Sequence, residues 1–316
     1  MKERKLLVLS GAIVLALLIV EFAYYFTFRS HEEPIKQISV ICYGSDTARW
    51  ESLKQGADLA AEELNAEITL ITMSSENDEQ EQLSLIAREI KNGADALMVA
   101  PCNSEVIGNY LNKRNIPYVF VETGGSKKDS DNVISADNEK MAEALVKTID
   151  EHEKDWIKVA IIADYTERDS VKARLNSMQN SDKKYADEIV LWSRNDQERN
   201  KKAQYFLQRE LTEEAVDVVV ALDNSSMEEL IDARINLNKD IKIYGIANSS
   251  KCAYYLDAGL INSMICQDEF AIGYIGLHNL LDEDKVNSFD EIQYTVVEKN
   301  NMYEELNQRI LFPHLK

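Results

Sequence analysis

The chain has 316 residues, 45% of them hydrophobic and 28% charged, which is enough apolar mass for one large core or two moderate ones and too much for a disordered chain. Its formal net charge of -20 opposes phosphate at long range and argues against nucleic acid as a partner. Four cysteines, Cys42, Cys102, Cys252 and Cys266, are too few and too scattered for a disulfide framework or a paired-cysteine zinc site, and read as small buried thiols.

At the N-terminus, Lys2, Arg4 and Lys5 precede the apolar run LLVLSGAIVLALLIV, and Phe22, Tyr24, Tyr25, Phe26 and Phe28 follow it. Residues 6 to 28 reach the roughly 20 residues that cross hydrocarbon as a helix, with aromatic groups at the outer interface and basic residues held inside. Residues 1–30 are therefore expected to form an uncleaved single-pass anchor in the cell membrane, with the C-terminal domain outside the cytoplasm. A cleavable signal peptide competes with this reading because Glu21 interrupts the run, yet no small-residue cleavage pattern follows.

From Ile38 onward, short apolar runs alternate with helical patterns: ISVICY, ITLITM, ALMVA, PYVFV, WIKVAIIA, EIVLWS, VDVVVAL, IKIYGIA and INSMIC. Between them lie stretches such as EQEQLSLIAREIKNG, with apolar i, i+3, i+4 spacing and a glycine just past the end. Repeated β-α order makes a mostly parallel sheet with helices on both faces, and this many strands divides better into two lobes of roughly four to six strands each. The fold class is thus α/β, with two doubly wound lobes. The join falls where Val133 to Ser135 lead into a helix capped by Asp137 or Asn138.

In the first β-α unit, Leu53, Ala57, Leu59, Ala60 and Leu64 recur at the spacing of an apolar helix stripe, and Trp50 stands ahead of it in the opening turn. In open α/β sheets that turn is where ligands bind, so Trp50 reads either as a floor for a ligand or as a staple that closes the helix opening.

Several short stretches, in this order and spacing, resemble the type I periplasmic binding proteins, the ribose and galactose binders. They are Lys54-Gln55-Gly56-Ala57, Ile90 to Leu97 (IKNGADAL), Asn115-Ile116-Pro117-Tyr118-Val119, Ser135-Ala136-Asp137-Asn138 and Ala258-Gly259-Leu260. The resemblance runs from Ile38 to about Lys299. It implies two lobes joined by three crossovers and closing on a small ligand: residues 37–136 plus 267–291 in the first lobe, and 137–266 plus 292–316 in the second. A helical DNA-binding headpiece, which regulators of the same fold carry, is replaced here by the apolar N-terminal segment.

Strand C-termini that face the cleft are the candidate ligand contacts. On the first lobe these are Tyr43 to Asp46, Trp50, Pro101 to Ser104, Glu122 and Thr123. By resemblance, Trp50 takes the place of the sugar-stacking aromatic, and Glu122 that of an aspartate followed by an arginine which this chain lacks. On the second lobe the ligand-binding arginine falls on Lys172, with Arg168 as the nearby substitute. Asp223 and Asn224 match the place of a hydroxyl-gripping pair, Asn224 reading in the first place as a helix N-cap, and Gln267 matches the glutamine of the second crossover. Two departures remove expected groups: Gly245-Ile246-Ala247 lacks the carboxylate of Gly-x-Asp, and Gln197 replaces an aromatic wall unless Trp192 supplies it.

No nucleophile elbow, zinc-protease helix or phosphate loop occurs, and His31, His152, His278 and His314 are far apart. The expectation is a binding protein and not an enzyme, without cofactor or metal. It would capture a sugar or polyol, with the membrane permease of an ATP-driven importer or a membrane sensor kinase as partner.

Overall fold

The computed structural model describes residues 11, 14–22, 34–125, 132–153, 157–181, 186–199, 203–281 and 292–312. The chain forms two compact units, one up to Ile35 and one from Lys36 onward. In the first, residues 14–22 are helical, with Leu17, Val20 and Phe22 among the exposed apolar side chains. Among the described residues no helix is long and apolar enough to cross a membrane, and most of the expected anchor at 6–28 lies outside the described residues.

The second unit begins with β1 (Lys36–Cys42), a 3-10 turn (Ala48–Trp50), α1 (Glu51–Glu63), β2 (Ala66–Thr72), α2 (Glu79–Asn92) and β3 (Ala96–Ala100). It continues through α3 (Ser104–Asn112), β4 (Tyr118–Val121) and β5 (Val133–Ile134). Then come α4 (Asn138–His152), β6 (Ile157–Ile162), α5 (Asp169–Asn180), β7 (Ala186–Trp192), α6 (Asp196–Arg199), α7 (Ala203–Glu213) and β8 (Val218–Ala221). Last are α8 (Asn224–Leu237), β9 (Lys242–Ile246), α9 (Ser250–Asp257), β10 (Ser263–Gln267), α10 (Glu269–Leu281), β11 (Tyr294–Val297) and α11 (Glu305–Leu311).

The strands form two sheets, ordered β2-β1-β3-β4-β5 and β11-β10-β9-β8-β6-β7. Every pairing is parallel except β10 with β11. Parallel strands covered on both faces read as continuous apolar runs, and β3, ALMVA, is buried at every position. The helices between them start and stop on local chemistry. The Asp78 carboxylate accepts from the backbone N–H groups of Gln80 and Glu81, and Gly93, at φ 97°, ends the same helix in the left-handed conformation. At the crossover the N-cap of α4 is Asp137, which accepts from the Lys140 N–H.

After β5 the chain passes into the second sheet, and after β10 it sends α10 back to lie against α1. The two helices meet at glycines: a Cβ on Gly56 would fall 1.9 Å from the Phe270 carbonyl oxygen, and one on Gly273 would fall 1.9 Å from that of Leu53. One contiguous core runs through both lobes, from Val40, Leu53 and Met98 to Leu145, Ile161 and Ile265. Two strands go beyond the sequence reading. Val133–Ile134, expected only as an extended segment, pairs with β4, and β11 adds an antiparallel edge to the second sheet.

Candidate functional site

The C-terminal ends of strands from both sheets face one another, as the crevice of an open α/β sheet requires. Between them is a narrow space lined by Arg49, Glu122, Arg174, Asp223, Asn224, Ile246, Ala247, Asn248, Ile265, Gln267 and Glu269.

Glu122 follows the last residue of β4 with φ 66°, a left-handed conformation costly for a residue with a Cβ and recurrent at binding sites. Its N–H is tied to the Ile134 carbonyl, and its carboxylate accepts from the Tyr43 hydroxyl at 2.9 Å and from Arg174 Nη2 at 3.3 Å. Arg49, on the 3-10 turn after β1, lies 3.8 Å from Glu122 and 3.2 Å from Glu269. Burial pushes the Glu269 carboxyl above its usual range, and Arg49 opposes that shift.

On the second lobe, Asp223 follows β8 and does two things. It caps α8 by accepting from the Ser226 N–H at 2.8 Å, and it accepts from Arg168 Nη2 at 2.6 Å. Arg168 is 1% exposed and its Cζ stands 4.2 Å from the ring centroid of Tyr43, across the cleft. Its Nε and Nη1 have no hydrogen-bond partner among the described residues. Arg174 donates to Asn138 Oδ1 at 2.7 Å and to the Leu222 carbonyl at 2.8 Å, which aims its remaining nitrogen at Glu122. Asn224 holds the loop after β9 by accepting from the N–H groups of Asn248 and Ser249. Gln267 ends β10 at 4% exposure, and its Oε1 lacks a partner among the described residues.

Behind this layer sits a second buried charge cluster. Arg194 donates from Nε to Asp164 at 2.7 Å and from Nη2 to the hydroxyl of Tyr165, a residue at φ 55°. Burial pushes the Glu229 carboxyl up to about 7, opposed by Arg194 and reinforced by Asp223, Glu76 and Asp164.

Of the candidates read from sequence, Glu122, Asp223 and Gln267 line the cavity, and Arg168 stands directly behind Asp223. Lys172 is a correction. The buried stripe of α5 runs through Ser170, Val171, Arg174 and Met178, so Lys172 points to solvent and the cleft arginine is Arg174, two positions on. Asp46 is also corrected: it is exposed and accepts from the Ala48 N–H in its own turn. Trp50 is fully buried, donates from Nε1 to the Tyr43 carbonyl and stands behind Arg49, outside the cavity lining. Trp192 lies in the second-lobe core with Phe206 and Leu207. Thr123 and Ser104 join the lobes directly, Thr123 accepting from the Ser170 N–H and Ser104 donating to Asp169. Sequence reading missed Arg49, Arg174 and Glu269. An arginine next to Trp50, and a carboxylate opening the helix after Gln267, were the signals available.

All four cysteines are free and buried, and burial pushes the Cys102 thiol up to about 12. Among the described residues no group of three or more His, Cys, Asp or Glu side chains could hold a metal ion.

Known proteins share this fold. A ribose import binding protein, RbsB, of Haemophilus influenzae is 31% identical over 96 residues, a match spanning 29% of this chain and 32% of that protein. An ABC transporter solute binding protein from Agrobacterium vitis with bound D-fucose superposes with a TM-score of 0.75 at 16% identity, covering 87% of this chain and 100% of that one. GanP, a glucose-galactose binding protein from Geobacillus stearothermophilus, gives 0.74 at 16% identity, covering 86% and 100%. A Bacillus halodurans solute binding protein with bound myo-inositol gives 0.72 at 16% identity, covering 89% and 100%. Residues 38–283 match the family described as periplasmic binding protein domain, and with two lobes, three crossovers and a polar cleft at the strand ends, this chain belongs to that family.

Proposed function

We propose that this protein is an extracytoplasmic solute-binding protein that captures a sugar or polyol between its lobes and presents it to the membrane permease of an ABC importer. The observation that carries the reading is the convergence of polar side chains from both sheets on one small space: Glu122 at the strand ends of the first sheet, and Asp223, Asn248 and Gln267 at those of the second. Carboxylates accept and amides both donate and accept, which matches the alternating donors and acceptors of a polyol. The sugar ligands of the structural relatives support the same class.

Ligand contacts made to both lobes favour the closed form by their differential energy, and closure is what a permease reads. The N-terminal apolar run, with Lys2, Arg4 and Lys5 ahead of it, is proposed as the tether that keeps the receptor at the membrane. Calorimetric titration of the purified protein against pentoses, hexoses and polyols tests the reading. Saturable heat with at least one is expected, and a panel without any binding overturns it. Co-purification with a membrane histidine kinase in place of a permease would move the protein from import to sensing.

A further inference from the structure

We propose that Arg49 is a built-in cover over Trp50, which keeps ring ligands off the indole and restricts the cleft to ligands that hydrogen-bond to a guanidinium and two carboxylates. The inference rests on the sugar-binding reading and deepens it. The Arg49 Cζ lies 3.7 Å from the centroid of the Trp50 ring, within the range of a cation–π contact. Trp50 is 0% exposed and does not line the cavity, whereas Arg49 does. The guanidinium therefore stands between the indole and the cleft.

It is held there from several sides. Glu269 lies 3.2 Å away, Glu122 lies 3.8 Å away, and Arg49 Nη2 donates to the Tyr43 hydroxyl at 3.3 Å. The Tyr43 ring also packs edge-on against Trp50 with centroids 5.0 Å apart, closing a second side of the indole. An apolar sugar face needs the same few ångströms above the indole that the guanidinium fills. With Arg49 in place, a ligand in the cavity meets N–H donors and carboxylate oxygens instead. That favours compact polyols, hydroxylated along their length, over pyranoses that present an apolar face.

The test uses the full chain with Trp156→Phe and Trp192→Phe, so that Trp50 alone reports, and the probes are ribitol and D-galactose. Arg49→Ala removes the cover but leaves Glu122 and Glu269 short of a partner in a buried setting, which endangers folding. Arg49→Lys keeps the positive charge and loses the planar group, so it is the second variant. In the folded variants, acrylamide quenching of Trp50 is expected to rise roughly threefold or more, and the galactose-to-ribitol affinity ratio to rise about tenfold as the stacking face opens. Quenching and ratio both unchanged in Arg49→Lys overturn the proposal. Raised quenching with no binding by any form across the panel of pentoses, hexoses and polyols keeps Arg49 as the cover and overturns the sugar reading, so the two failures are distinct.

Discussion

Glu229, behind the cleft layer, shows how a single residue couples to pH. Burial is the largest influence on its carboxyl, and the like charges of Asp223, Glu76 and Asp164 add to it against Arg194 to bring it to about 7. An unfolded glutamate titrates near ~4.3, so between that value and about 7 the folded state holds a proton that the unfolded state has released. The stabilisation is complete below the unfolded value and is lost as pH rises through the folded one. Glu229→Gln removes the titration. Urea unfolding at pH 5 and pH 7.5 should show the wild type losing about 2 kcal/mol more than the variant over that interval; parallel profiles would sink the assignment. Residues of this kind were the hardest to read from sequence. Asp223, Glu122 and Gln267 were legible as cavity-lining residues because each lies at or just past the end of a strand, and strand ends define the crevice. Arg174 was not, because its role depends on the rotation of α5, and a basic residue at position 172 or 174 looks alike until the buried stripe is known. Trp50 was legible as special but not in its role, because the guanidinium that covers it is its neighbour in sequence.

At the scale of elements, the contact of α1 with α10 ties the returning segment to the first lobe. Helix axes come this close only where side chains are absent, and Gly56 and Gly273 each meet a carbonyl of the other helix at distances no Cβ tolerates. Gly273→Ala must push the helices apart, and it should lower stability by ~2 kcal/mol or more in equilibrium unfolding although alanine is the better helix former. A gain in stability would show that the crossing relaxes freely. Gly56 was visible in the sequence as part of Lys54-Gln55-Gly56-Ala57, but its partner Gly273 was not, since nothing local pairs positions so far apart. The β-α alternation itself was legible because each long helix carries an apolar stripe and most carry a cap that the sequence spells out, such as Asp78, Asp137 and Ser249. The two-residue β5 and the half-buried β11 were not, because neither supplies enough consecutive apolar residues to stand out from a loop.

For the molecule as a whole, the contacts that cross the cleft set how readily the lobes separate. Glu76 on the first lobe lies 3.8 Å from Arg168 and accepts from the Ser225 hydroxyl at 3.1 Å; Glu122 pairs with Arg174; Thr123 accepts from the Ser170 N–H at 3.0 Å; and Ser104 donates to Asp169. All exist only when the lobes are together, so each shifts the open–closed equilibrium by its own energy. Glu76 is the informative one to change, because burial already pushes its carboxyl upward while Arg168 opposes the shift. Glu76→Gln keeps the shape and an acceptor for Ser225 but loses the ion pair, and Arg168 keeps Asp223 as its partner, so the second lobe should stay intact. The expected result is a larger open population, read as a lengthened distance between spin labels on α2 and α8, and sugar affinity about three- to tenfold weaker because less of the protein is binding-competent. The melting temperature should move little, since neither lobe core is touched. Unchanged label distances with unchanged affinity would mean that the lobes are held by the shared apolar core through α4 and not by charge across the cleft.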